Sequence, residues 1–157
     1  MELKVSFDAR GLENALRDPD MIKGPVRDFL VRSAFLVEAK AKEKVPVDTG
    51  RLRNSIATQI AQTRAIVATN VLYAPFVEFG TKPHFPPPAA LQPWARRHGF
   101  PKGMAGAYMV ARAIARRGTR AQPFMAPALQ QSLAAIRLEW GNMLRAIEQR
   151  WAQKGKS

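Results

Sequence analysis

Six apolar residues near the C-terminus, Leu129, Leu133, Ile136, Trp140, Met143 and Ile147, recur in steps of four and three. That rhythm places them on one side of an α-helix. It predicts a helix opened by Pro127 and running to about residue 149, the strongest periodic element in the chain. Packing on the core is the ordinary use of such a stripe; docking on another subunit is the rarer one. A second long helix is expected over 24–44. There Val26, Phe29, Leu30, Val37 and Ala41 share one side, Pro25 suits the first turn, and Pro46 ends the run. Val31 and Phe35 add a second apolar strip, which points to contacts on two sides. Lys40, Lys42 and Lys44 gather where positive charge suits the helix dipole.

Shorter elements fill the remainder. Leu3, Val5 and Phe7 alternate with Glu2, Lys4 and Ser6, the pattern of a half-buried strand. Asp8 can cap a short helix carrying Leu12, Ala15 and Leu16, which Asp18-Pro19-Asp20 breaks. Asp48-Thr49-Gly50 is a turn, with Asp48 or Thr49 as the cap of a short turn over 51–54. Two strands are expected over 55–62 and 65–70, joined at Thr63-Arg64 and supplied with β-branched bulk by Ile56, Ile60, Ile66 and Val67. Tyr73 to Phe79 reads as a short aromatic helix, closed by Gly80 in the left-handed conformation. The run Lys82-Pro83-His84-Phe85-Pro86-Pro87-Pro88 forbids regular helix and central strand alike. Helices over 90–97 and 105–117 follow it, before Gln122-Pro123-Phe124 returns the chain to the last helix.

The expected fold class is therefore α+β: a small antiparallel sheet packed against a long helix and a C-terminal helix. At 157 residues and 46% hydrophobic, the chain has the size of one domain, residues 1–157. The segment 82–121 reads as a basic, Pro-rich and helical excursion from it. The formal net charge is +13, and its distribution is uneven. Residues 1–78 hold 12 basic and 10 acidic side chains, whereas 79–138 hold 9 basic and none acidic. A segment of that kind favours a polyanion or an acidic protein surface; a solvated basic face with no partner is as frequent. Its candidate contact residues are Arg96, Arg97, Lys102, Arg112, Arg116, Arg117 and Arg120. The start of the chain has neither the basic cluster nor the apolar run of a secretory signal, and no apolar stretch approaches the roughly 20 residues that span a bilayer. A soluble protein of the cytoplasm is expected, with no membrane partner.

Catalytic templates find little to hold. Cysteine is absent, which removes disulfides, thiolate nucleophiles and cysteine zinc sites together. His84 and His98 stand alone in an acid-free segment, short of the three or four clustered ligands that zinc needs. No serine stands in a nucleophile elbow. Gly155-Lys156-Ser157 imitates the end of a phosphate loop, but Arg150 occupies the place of its first glycine. Asp48 and Glu78 are the one carboxylate pair with glycosidase potential. Against that, Asp48 sits where a cap belongs, and Glu78 can equally pair with an Arg or accept backbone hydrogen bonds. No catalytic residue, metal or cofactor is expected.

Three stretches carry more information as a set. They are Val45-Pro46-Val47-Asp48-Thr49-Gly50-Arg51-Leu52-Arg53-Asn54-Ser55-Ile56, then Asn70-Val71-Leu72-Tyr73-Ala74-Pro75-Phe76-Val77-Glu78-Phe79-Gly80-Thr81, then Gln122-Pro123-Phe124-Met125-Ala126-Pro127-Ala128. In content and order the chain resembles the tail-completion, or head–tail joining, proteins of long-tailed bacteriophages and prophages, also labelled minor capsid or tail components. The resemblance spans about residues 11–144, and the excursion is longer here than in short relatives. It implies a non-enzymatic virion subunit of the neck, present as a ring of six copies and assembled in the host cytoplasm. It implies three protein partners: other copies of itself, a head connector or adaptor, and a tail terminator or tail tube protein. DNA would pass through the channel. Asp48, Thr49, Gly50, Tyr73, Glu78, Phe79, Gly80, Thr81, Pro123 and Phe124 are the motif residues, expected to define the fold first and contacts second. Trp94 and Tyr108 are either interface anchors or the residues that close the excursion onto the core. The alternative function is sequence-independent nucleic-acid binding through 82–138.

Overall fold

The computed structural model describes residues 19–61 and 63–154. The strand read at Leu3, Val5 and Phe7, the short helix after Asp8, and Gly155-Lys156-Ser157 lie outside them. Along the described chain come α1 (Pro19–Lys44), α2 (Arg51–Ser55), β1 (Ala57–Ile60), β2 (Ala65–Ala68), α3 (Ala74–Phe79), α4 (Pro88–Arg97), α5 (Met104–Arg117) and α6 (Met125–Lys154). The fold is α+β, a small antiparallel sheet with two long helices and a helical excursion.

α1 begins at Pro19 rather than near residue 24. Pro19 takes the first helical position, where a missing N–H costs nothing. Pro25 is consequently inside the helix and buried, not in its first turn, and the helix forgoes one internal hydrogen bond there. α1 and α6 run antiparallel along each other. The rings of Phe29 and Trp140 meet edge-on at 5.4 Å and 79°, Arg32 lies 3.7 Å from Glu139, and Gly24 approaches Arg150 so closely that a Cβ would stand 2.9 Å from its guanidinium.

The sheet lies against the other part of α1. β1 and β2 pair antiparallel, with Thr58 opposite Val67 and Ile60 opposite Ala65. Side chains alternate across a strand, so Thr58, Ile60, Ala65 and Val67 share one face. That face is the one turned to α1, because Thr58 Oγ1 donates to Glu38 Oε2 at 2.5 Å. Lys42 also donates to Glu38, and these hydrogen bonds, Lys42 first, hold its carboxyl below the ordinary glutamate range.

α2 corrects the expected cap. Its N-cap is Gly50, at φ +79°, and no side chain bonds to the helix start. Neither Asp48 nor Thr49 caps: Asp48 is turned to Arg97, and Thr49 is exposed. The turn needs a positive φ, which glycine adopts without a Cβ penalty.

Residues 82–121 form a helical hairpin with its own small core. Ala95, Gly106, Ala107, Val110 and Ala111 are buried between α4 and α5. The proline run before α4 has no regular structure until Pro88. A short stem closes the base. Thr81 N–H donates to Thr119 O at 3.1 Å, and Thr119 N–H donates to Thr81 O at 3.2 Å. Their hydroxyls meet at 3.0 Å. Gly80 and Gly118 flank the stem at φ +71° and +69°. A Cβ on Gly118 would stand 1.9 Å from Thr81 O, and one on Gly80 2.5 Å from Thr119 O. Only glycine lets the two segments close this tightly. At Gly80 ψ is −174°, so it ends α3 with a positive φ but outside the left-handed helical region.

Candidate interaction site

The three sequence stretches meet in one core. Val45, Leu52 and Ile56 come from the first, Val71 and Ala74 from the second, and Phe124 and Ala128 from the third, with Ala41 of α1 between them. Phe124 and Ile56 are the largest fully buried side chains. Glu78 joins the second stretch to the third. Its Oε2 accepts from the backbone N–H of Phe124 at 2.7 Å and of Met125 at 2.9 Å, and its Oε1 accepts from Ala126 at 3.0 Å. These are donors that the first turn of α6 cannot satisfy internally, and Pro127 has no N–H to satisfy. Burial pushes the Glu78 carboxyl up, but the three backbone hydrogen bonds outweigh it and hold it below the ordinary range. A negative charge at this end of α6 also suits its dipole.

α3 has two unlike faces. Ala74 and Glu78 are buried and Val77 packs on the core. Phe76 is 59% exposed, Phe79 78%, and Leu72, just before the helix, 93%. Tyr73 is half exposed beside them. Single exposed apolar residues are common, whereas four within eight positions make a ridge, the usual mark of an interaction surface. Leu129 and Leu133, on the first turns of α6, are also about half exposed. The α6 stripe is therefore used in part: Met143 is buried, while its N-terminal leucines face outward.

Residues 13–80 match the family model described as Bacteriophage HK97-gp10, putative tail-component. The matched segment holds α1, α2, both strands and α3 with its ridge. Of the three motif stretches it contains the first and all of the second but Thr81, while the third lies beyond it. No curated protein and no solved structure matches the chain. A phage tail-component family is typically structural.

The other residues singled out in the sequence fall into separate places. Pro123 is exposed beside buried Phe124. Arg96, Lys102, Arg112, Arg116, Arg117 and Arg120 are exposed on or beside the hairpin. Among the described residues none of these six lies within ion-pair distance of a carboxylate. Arg97 differs: its Nε donates to Asp48 Oδ1 at 2.9 Å, and a second nitrogen donates to Oδ2. The guanidinium holds the Asp48 carboxyl below its usual range, and the carboxylate raises Arg97 in turn. Trp94 and Tyr108 do not close the hairpin onto the core. Trp94 stacks on His98 at 4.0 Å and leans on Phe100 at 5.9 Å, and both Trp94 and Tyr108 keep more than a third of their surface exposed.

Asp48 and Glu78 have both carboxylate oxygens hydrogen-bonded and both titrate low. A general acid needs the opposite shift. His98 ends α4 with Nδ1 on Trp94 O, and His84 sits in the proline run with Nδ1 near Lys82 O. Among the described residues no three His, Asp or Glu side chains gather at a metal's spacing, and no helix is long and apolar enough to cross a membrane. Sequence reasoning missed Leu72, the outward half of the α6 stripe and the Asp48–Arg97 link. Leu72 was findable as an apolar residue ahead of a capped aromatic helix; the link, spanning 49 positions, leaves no local trace.

Proposed function

We propose that this chain is a non-enzymatic virion assembly subunit that joins the head connector of a long-tailed phage to its tail. It acts as one α+β unit with an excursion at 82–121, in a ring of copies at the neck. The observation that carries the reading is the ridge of Leu72, Tyr73, Phe76 and Phe79. It lies inside the segment that matches a tail-component family, and it is presented outward at the same short helix whose Glu78 locks the core. A ring subunit needs such a surface for head-to-tail contacts that close by rotation, and buried aromatics dominate contacts of this kind. Partners on the two sides of the ring are the connector or adaptor and the tail terminator or tail tube protein.

A phage that carries the gene provides the test. Deleting the gene leaves filled heads and separate tails, and a Phe76→Asp, Phe79→Asp variant fails to restore joining although it folds with an unchanged Tm. Joined, infectious particles without the protein overturn the reading.

One observation favours a second reading, sequence-independent nucleic-acid binding: six hairpin cations have no carboxylate beside them. Phosphate contacts of that kind weaken steeply with salt. Light scattering at low and physiological salt, with and without duplex DNA, separates the two. A closed oligomer without DNA supports the ring. A monomer that binds DNA tightly at physiological salt supports the second reading.

A further inference from the structure

α5 carries a face that the fold leaves open. Gly106, Ala107, Val110 and Ala111 are buried and turn one side of the helix to α4. On the other side Tyr108, Arg112 and Arg116 follow one another at four-residue steps, with Met109 three residues before Arg112. That spacing places the four side chains on a single strip, about 12 Å long from Tyr108 to Arg116. All four are exposed, Tyr108 by 47% and Met109 by 54%.

The fold does not account for both arginines. Among the described residues neither lies within ion-pair distance of a carboxylate. Arg116 stands in the last turn of α5, where a cation suits the helix dipole. Arg112 lies more than a turn from that end, beyond the reach of the dipole. Residues 79–138 contain no acidic side chain, so no carboxylate near in sequence balances it.

The composition of the strip separates two kinds of anionic partner. Contacts to phosphates use the cations alone and weaken steeply with salt. A protein surface uses the apolar side chains as well, and Tyr, Met and Arg are enriched in such interfaces while Lys is depleted. Residues 82–121 hold six arginines against two lysines, and Tyr108 and Met109 stand on the strip with Arg112. We propose that this strip of α5 is a docking surface for an acidic protein. The guanidinium forks of Arg112 and Arg116 pair with carboxylates of that partner, and Tyr108 and Met109 are buried beside them. The proposal rests on the neck reading, which places the partner on the head or on the tail, and it gives the excursion the role of engaging it.

Tailless heads and headless tails from a phage lacking the gene, treated with nuclease, are the probes. The full parent chain cosediments with one of the two. An Arg112→Glu, Arg116→Glu variant binds that particle at least tenfold more weakly, and a Tyr108→Ser, Met109→Ser variant at least fivefold more weakly, both with the parent Tm. Arg112→Glu alone moves the affinity in the same direction should a double variant lose stability. Equal affinity of the variants and a bound parent chain overturns the proposal and leaves the neck reading standing. A parent chain that binds neither particle overturns the neck reading, and the proposal with it. Duplex DNA is the third probe. Tight binding to it at physiological salt, lost in the arginine variant while the Tyr108, Met109 variant keeps its affinity for DNA and particle alike, overturns the proposal in favour of DNA.

Discussion

The core and the hairpin of residues 82–121 are held by different means. In the core, side-chain volume does the holding: Phe124, Ile56, Leu52 and Val71 from separate stretches fill one interior, and a charged side chain ties two of those stretches. In the hairpin the buried residues are Ala95, Gly106, Ala107, Val110 and Ala111, so little apolar area is hidden. Close backbone approach replaces volume there. A Cβ on Gly106 would stand 2.3 Å from Pro101 O, and the Gly80–Gly118 stem closes just as tightly. A unit of the second kind is able to loosen without the first, because the two share few contacts beyond the stem and the Asp48–Arg97 link.

The largest effect is expected at Phe124. Truncating a fully buried phenylalanine costs about 3–5 kcal/mol, so Phe124→Ala lowers the denaturation midpoint for core and hairpin probes together. A loss below about 1 kcal/mol would break the comparison at its root. Glu78→Gln follows. A hydrogen bond to a charged group contributes about 1.5–3 kcal/mol, and this carboxylate accepts from three amides. The pH sign is determined by its lowered folded-state value. The stabilisation is fully present above the unfolded-chain value, about 4.3, and is lost as pH falls through the lower folded value. Acid unfolding of the parent chain should therefore contain a component that Glu78→Gln removes. An unchanged acid profile would assign that component elsewhere.

Gly118→Ala is the converse experiment. It places a Cβ at a positive φ and against Thr81 O, a strain of about 1–3 kcal/mol borne by the stem. Protease cleavage between α4 and α5 should rise severalfold, while amides around Phe124 keep their protection. Equal loosening of both regions would show that they unfold as one unit and sharpen the contrast into a difference of packing alone.

What the sequence made legible follows the same division. Helical periodicity and paired motifs located α1, the strands, α3 and α6, because local patterns record which side of an element faces inward. They did not record how far burial extends. Leu129 and Leu133 share the rhythm of Met143 yet remain exposed, since a stripe prepared for a partner reads like one prepared for the core. The start of α1 was misplaced because Pro25 satisfies the local rule for a first turn, and only tertiary burial keeps it inside. The cap assigned to Asp48 or Thr49 failed for a related reason. Its competitor, Arg97, lies 49 positions away, as Thr119 lies 38 from Thr81, and pairings at such distance leave no periodic signature. Among the site residues, the basic set was visible as charge, but not that Arg97 is the member with a carboxylate partner.

That partner is the subject of the smallest expected effect. Asp48 and Arg97 are both partly exposed, with side chains 31% and 39% accessible, so water and salt screen the pair. Asp48→Asn should leave the thermal midpoint unchanged within error, and so should Arg97→Gln. The pair nevertheless joins the turn ahead of α2 to the end of α4, an attachment other than the stem at Thr81 and Thr119. With the stem alone, the hairpin is anchored at its base; with the pair, it is anchored at two separated points and its direction relative to the core is restrained. Removing the pair should therefore broaden the distance distribution between spin labels on Gln59 and Lys102, and raising the salt in the parent chain should broaden it in the same way. A distribution that stays narrow in Asp48→Asn would place the orientation in the stem, and so in backbone geometry alone.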